Sequence, residues 1–99
     1  MSDRVLLWDV NGVAWEAKLI DGLPEVAYLN HRPSFAGQVR LVNDHGSVFW
    51  FLDDERHRLD GPAAEYTNGT RRWYVNGVKF SEQDYPQAVA EFLAGGVSV

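Results

Sequence analysis

The chain contains no cysteine, one methionine and only four prolines among its 99 residues. Without thiols, disulfides, thiolate metal centres and cysteine nucleophiles are excluded. Small secreted domains often depend on disulfides, so their lack points to the reducing cytoplasm. Basic residues are a minority: 9 Lys and Arg stand against 14 Asp and Glu, a formal charge of −5. That balance opposes nonspecific binding to nucleic acid or to an anionic membrane, and it permits attraction to a basic partner surface. No apolar run approaches the ~20 residues of a membrane span. The opening MSDRVLLWDV lacks the charged-then-apolar pattern of a secretion signal. A cytoplasmic protein is expected.

What the chain has in quantity is aromatic and apolar side chains, 13% and 45% of its residues, which supply one hydrophobic core and argue against disorder. The length suits a single domain over 1–99. Apolar and polar residues alternate until about residue 80, as in Val13, Trp15, Ala17 and Leu19 with Glu16 and Lys18 between them. Asn11-Gly12, Asp21-Gly22, Asn68-Gly69 and Asn76-Gly77 punctuate this pattern, and such dipeptides suit the type I′ turn of a tight hairpin. Strands are expected near 4–9, 13–20, 25–29, 38–43, 47–52, 63–66, 70–75 and 78–80. The residues 30–37 form the longest unpatterned link, a place where binding function often sits.

After residue 80 the period changes. Tyr85, Ala88, Val89, Phe92 and Leu93 fall on one stripe of a helix over 84–94 that packs on the sheet. Asp84 is the expected N-cap with Gln87 completing a capping box, Pro86 sits in the first turn, and Gly95-Gly96 ends the helix. The fold class is therefore mainly β (α+β): an antiparallel meander of β-hairpin repeats with one C-terminal helix.

The repeats are visible directly. Gly46-Ser47-Val48-Phe49-Trp50-Phe51-Leu52-Asp53 aligns with Gly69-Thr70-Arg71-Arg72-Trp73-Tyr74-Val75-Asn76, 69 − 46 = 23 residues later. A weaker third copy is Asn11-Gly12-Val13-Ala14-Trp15. Residues 43–80 thus hold two hairpin repeats, and 1–42 hold divergent N-terminal hairpins. Period two puts Trp50 and Trp73 on one side, expected to be the core, and Phe49, Phe51 and Tyr74 on the other. That second side is either another packed layer or an exposed aromatic patch.

Between the copies runs His57-Arg58-Leu59-Asp60-Gly61-Pro62-Ala63. Asp60 can accept hydrogen bonds from downstream backbone N–H groups, Gly61 can take a positive φ and Pro62 fixes the exit direction, which makes a corner. His57 and Arg58 can stack on neighbouring Trp rings. From His57 to Gly77 the string HRLDGPAAEYTNGTRRWYVNG, ending in Asn76-Gly77, resembles a family of DGPA/WYxNG hairpin-repeat proteins of unknown role, mainly of bacteriophages. Its repeats are similar to the MORN-type hairpins of some bacterial antitoxin-like proteins. The resemblance covers residues 43–94. It implies a hairpin scaffold with a terminal helix, in the cytoplasm of an infected bacterial host.

Signatures of chemistry are absent. His31, His45 and His57 match no zinc-ligand spacing, Asp53-Asp54-Glu55 lacks the graded spacing of a calcium loop, and no phosphate-binding or nucleophile motif occurs. No catalytic residue, cofactor or metal is expected. The function expected is a non-enzymatic protein-binding module, a phage-encoded modulator or inhibitor of a host protein. Its contact residues would be His31, Arg32, Phe35, Phe49, Phe51 and Tyr74. Alternatives are a self-assembling structural repeat protein that forms homo-oligomers, and a weak single-stranded nucleic-acid binder using Arg56, Arg58, Arg71 and Arg72 beside Trp73 and Tyr74.

Overall fold

The computed structural model describes residues 4–95; Gly96 and the first three residues of MSDRVLLWDV lie outside the described residues. The strands are β1 (Arg4–Trp8), β2 (Ala14–Ile20), β3 (Leu23–Ala27), β4 (Gln38–Val42), β5 (Val48–Leu52), β6 (Glu55–Arg56), β7 (Ala64–Glu65), β8 (Arg71–Val75) and β9 (Val78–Phe80). The helix α1 spans Tyr85–Leu93. The sheet runs β1-β2-β3-β4-β5-β7-β8-β9, with β6 also paired to β5. The fold is mainly β with a C-terminal helix on the sheet, as the alternation and the late 3.6 period require. It departs from a pure meander at one joint, because β3 and β4 are parallel. Parallel neighbours need a crossover, and residues 28–37 supply it.

Two kinds of turn alternate along the chain. Asp9 N–H bonds Val13 O, Asn43 N–H bonds Ser47 O and Tyr66 N–H bonds Thr70 O. In each loop the glycine before the closing residue (Gly12, Gly46, Gly69) has φ between +83° and +90° and donates back to the first residue. This is a type I turn finished by a left-handed glycine, so Asn11-Gly12 and Asn68-Gly69 do not form the expected type I′ turns. Neither asparagine has a positive φ. The other turns are two-residue type I′ turns with positive φ at both positions: Asp21-Gly22, Asp53-Asp54 and Asn76-Gly77.

The alternation divides the described chain into three units, β1–β3, β4–β6 and β7–β9, each built as strand, three-residue loop, strand, type I′ turn, strand. The first half is therefore a repeat as well. Matching Gly12 to Gly46 places Trp15 opposite Phe49 in the alignment, and Glu16 opposite Trp50. The apparent match of Trp15 to Trp50 is one residue out, and a one-residue slip changes the face of the sheet.

The register identifies the faces. Val48 pairs Glu65 and Glu65 pairs Arg71, so Trp50 and Trp73 share one side. The fully buried cluster is nevertheless on the other: Ala17, Val26, Val39, Leu41, Phe49, Phe51 and Ala64, joined by Phe35 from the crossover. Trp50 and Trp73 are only half-buried. The reason is cover: the crossover lays Phe35 over the Phe49/Phe51 side, whereas a nine-residue helix reaches only part of the other. Phe35, Phe49 and Phe51, expected as contact residues, are 1%, 6% and 5% exposed and are core instead. Their position answers the open choice, since that side is a packed layer.

The corner folds differently from its expected form. Strand β6 and strand β7 lie along the same edge of β5, and Trp50 bonds both His57 N–H and Ala63 O, so residues 58–62 loop out of one interrupted strand. Arg58 is its hub. Its guanidinium lies 3.9 Å from the Trp50 ring centre, bonds Asp60 at 2.9 Å and bonds the Pro62 carbonyl at 3.0 Å. Asp60 thus serves the guanidinium rather than backbone N–H groups. Gly61 is needed for space and not for a positive φ, since a Cβ there would stand 2.9 Å from the Arg58 guanidinium carbon.

The helix docks through two rings: Tyr85 meets Trp73 at 6.4 Å and Phe92 meets His57 at 4.9 Å. The Tyr85 hydroxyl donates to the Arg58 carbonyl and accepts from Gly61 N–H at 3.2 Å. Asp84 makes no side-chain cap, and Gln87 bonds Glu91 instead of closing a capping box. Ser81 does that work, its hydroxyl accepting from Asp84 N–H and its carbonyl from Tyr85 N–H. Gly95, at φ +105°, ends the helix, and Leu93 leaves the stripe for solvent.

His57 is 4% exposed, and its Nδ1 accepts Asn76 N–H at 3.0 Å. Burial pushes its pKa below the ordinary 6.5, partly opposed by Glu55. The unfolded chain therefore takes up this proton first as pH falls. The stabilisation from the neutral ring is full above about pH 6.5 and is lost as pH drops through and below that value. Urea midpoints are expected to fall between pH 7.5 and pH 5.5, with a smaller drop for His57→Asn (pH values spanning about one unit either side of the unperturbed pKa). An equal drop in both proteins would refute the assignment to His57.

Candidate protein-binding surface

Because the units repeat in direction, the three-residue loops 9–13, 43–47 and 66–70 gather at one end of the sheet and the type I′ turns at the other. The crossover leaves β3 at the loop end. There Trp15, Ala27, Tyr28, Leu29, Asn30, His31, Asn43 and Asp44 line a cleft of about 530 Å³. Mostly apolar lining with a few polar groups at the rim is the usual make-up of a recognition cleft.

Each wall is set by local chemistry. The Asp9 carboxylate accepts the Trp15 indole N–H at 2.9 Å and the backbone N–H groups of Asn11 and Val13. These bonds, led by the indole, hold the Asp9 pKa below the ordinary carboxylate value. Trp15 then stands edge-on to Phe35 at 6.5 Å, which fixes its ring from below. Across the cleft, Asn43 Oδ1 accepts His45 N–H and Ser47 N–H, so the second loop is tied by its own first residue as the first loop is. Leu29 stands at the rim, 70% exposed.

Exposed apolar residues concentrate in the first unit and the crossover that follows it. Of the nine large hydrophobic side chains exposed among the described residues, Val5, Leu6, Trp8, Val10, Val13 and Leu19 belong to the first unit and Leu29 begins the crossover. Clustered exposure of this kind marks a contact region, whereas scattered single residues do not.

Comparison with known proteins finds no matching family model, no matching curated protein and no matching solved structure. The site must be read from its geometry.

Of the expected contact residues, His31 lies on the cleft rim. Arg32 is exposed but occupied, bonding Asp54 at 2.8 Å with its guanidinium 4.6 Å over the Phe51 ring. Tyr74 is half-buried beneath Arg56, which bonds its hydroxyl at 3.3 Å. Trp15, Tyr28, Leu29 and Asp44 were not foreseen. The long link after residue 29 was the one available signal, because it placed a loop beside them.

The basic cluster does not form one surface. Arg71 and Arg72 are neighbours on β8 and project to opposite sides. Arg56 covers Phe49 on the core side, and Arg58 covers Trp50 on the other. The latter side carries a second, more polar cleft of about 480 Å³, where Arg40 bonds Glu25 at 2.8 Å and faces Trp50 at 5.6 Å. Among the described residues no three His, Cys, Asp or Glu side chains group as metal ligands, and no helix is long and apolar enough to cross a membrane.

Proposed function

We propose that the chain is a non-enzymatic protein-binding module that grips an apolar side chain of a partner in the Trp15/Tyr28/Leu29 cleft. The observation carrying this reading is the apolar lining of the cleft, with Leu29 exposed at its rim. A rigid two-ring floor costs little ordering entropy on binding, and Asp44 at the rim with the net charge of −5 favours a partner whose contact is basic around its apolar anchor. The resemblance to bacteriophage hairpin-repeat proteins supports a phage-encoded modulator or inhibitor of a host protein. The lack of cysteine supports a cytoplasmic setting.

Affinity purification from bacterial lysate with mass spectrometry tests it, using the wild type beside Leu29→Asp. Leu29 is exposed, so the variant is expected to fold normally and to lose the partner. A partner retained at full stoichiometry, or none recovered by the wild type, would count against the module.

A further inference from the structure

Strand β1 is an edge strand of the sheet among the described residues. The two ends of the sheet differ. At the far end β9 is three residues long and carries Lys79, and the chain continues into α1, which packs on the neighbouring β8. Short strands, lysine and a covering element are the standard means of blunting an edge. At the near end β1 is five residues, Arg4-Val5-Leu6-Leu7-Trp8, with no proline, no interior charge and no strand beside it other than β2 among the described residues. A repeat array needs its ends protected, and among the described residues β9 is blunted by its length and its lysine whereas β1 is not.

The pairing with β2 shows which groups the edge offers. Asp9 N–H donates to Val13 O, and the register continues through Leu7 with Trp15 and Val5 with Ala17. The odd-numbered residues thus turn their N–H and C=O groups toward β2, and Leu6 and Trp8 turn theirs outward. The side chains of Leu6 and Trp8 are 66% and 62% exposed, both on the face opposite the core.

We infer that a second copy of this chain pairs with β1, antiparallel, about a two-fold axis through Leu6. The strand is self-complementary in that register. Leu6 meets the second copy's Leu6 as a reciprocal hydrogen-bonded pair, and their side chains touch across the axis. Trp8 falls beside the second copy's Arg4, whose guanidinium is held by Glu16 at 2.9 Å, and Val5 falls beside its Leu7, which continues the apolar row of the core face. An isologous contact of this kind closes on itself, so the β1 edges of both copies are covered and neither is left to recruit a third copy.

The test is sedimentation velocity over a range of concentrations, with amide exchange on the same samples. The wild type is expected to shift from monomer to dimer as concentration rises, with exchange at the Leu6 and Trp8 amides slowing in step. Leu6→Lys puts two like charges on the axis and is expected to weaken association by about tenfold or more, a ratio equal to 1.4 kcal/mol. Leu6→Pro deletes an outward N–H that β2 does not use, so it is expected to keep the native circular dichroism and abolish the dimer. A wild type that stays monomeric throughout overturns the inference. So does a dimer that survives both substitutions, or one whose Leu6 and Trp8 amides exchange at a concentration-independent rate; either result would place the contact on another surface.

Discussion

Phe35→Ala is expected to cost about 3–5 kcal/mol, read as a fall in urea midpoint with little change in slope. A domain of this size is stable by only about 5–15 kcal/mol, so the variant stands near the folding threshold. The magnitude follows from position. Phe35 is 1% exposed, sits in the core cluster and meets Trp15 edge-on. It belongs to a ten-residue link that Tyr28 joins to β4 and the core at its start. Beyond Tyr28 the other ties are few: Ser34 O accepts Val10 N–H, the Gly37 backbone exchanges two hydrogen bonds with Asp53, and Arg32 pairs with Asp54. Those contacts are largely at the surface and contribute little each. Removing the ring leaves a cavity beneath Trp15 and frees the crossover from its anchor. Phe35→Leu is expected to lose much less, because most of the volume is retained. Similar midpoints for the alanine variant and the wild type would show that the crossover is not what closes the core.

The second large effect concerns Tyr85. Its hydroxyl stands between the Arg58 carbonyl and the Gly61 N–H, and burial raises its pKa above the ordinary 10.0. Tyr85→Phe leaves both backbone groups without that partner, at a cost of about 1–3 kcal/mol. Tyr85→Ala also removes the ring from Trp73 and is expected to cost about 3–5 kcal/mol. The distinguishing readout is local. If the helix is held by the corner, Tyr85→Phe should release α1, seen as faster amide exchange over 85–93, while the β1–β4 amides keep their protection. A uniform rise in exchange across the sheet would contradict a local latch.

How much of this was legible in the sequence depends on which interactions are local. The strands other than the two-residue β6, the helix and the repeat of Trp50 in Trp73 could be read because period and turn residues are properties of adjacent positions. The two turn types could not be separated by dipeptide alone. Asn68-Gly69 and Asn76-Gly77 read alike, yet the first closes a three-residue loop and the second a two-residue turn. Asp53-Asp54 forms a type I′ turn without any glycine, at φ +48° and +69°, held by Gly37 N–H and Arg32. Two left-handed aspartates are a strained choice that only the crossover packed against them explains.

The exchange of faces has the same origin. Trp50 is larger than Phe49 or Phe51, and by size alone it is the better core candidate. Which side is covered is decided by where residues 28–37 travel, and that follows from the parallel pairing of β3 with β4, a contact between units. Phe35, Phe49 and Phe51 are buried for this reason, beneath or beside the crossover, whereas His31 stands on the cleft rim. The cleft went unseen because Trp15, Tyr28 and Asp44 come from three separate segments.

The segregation of loops has a consequence for how such a chain can change. Type I′ turns set the twist of the strands they join and accept no extra residues without disturbing it. The three-residue loops are solvent-exposed tips, where insertions are borne more easily. All three lie side by side at the cleft end. Lengthening or randomising residues 10–12, 44–46 and 67–69 would remodel a contiguous patch much as an antibody varies its loops on a constant framework, which makes this topology a scaffold on which new specificities can be selected.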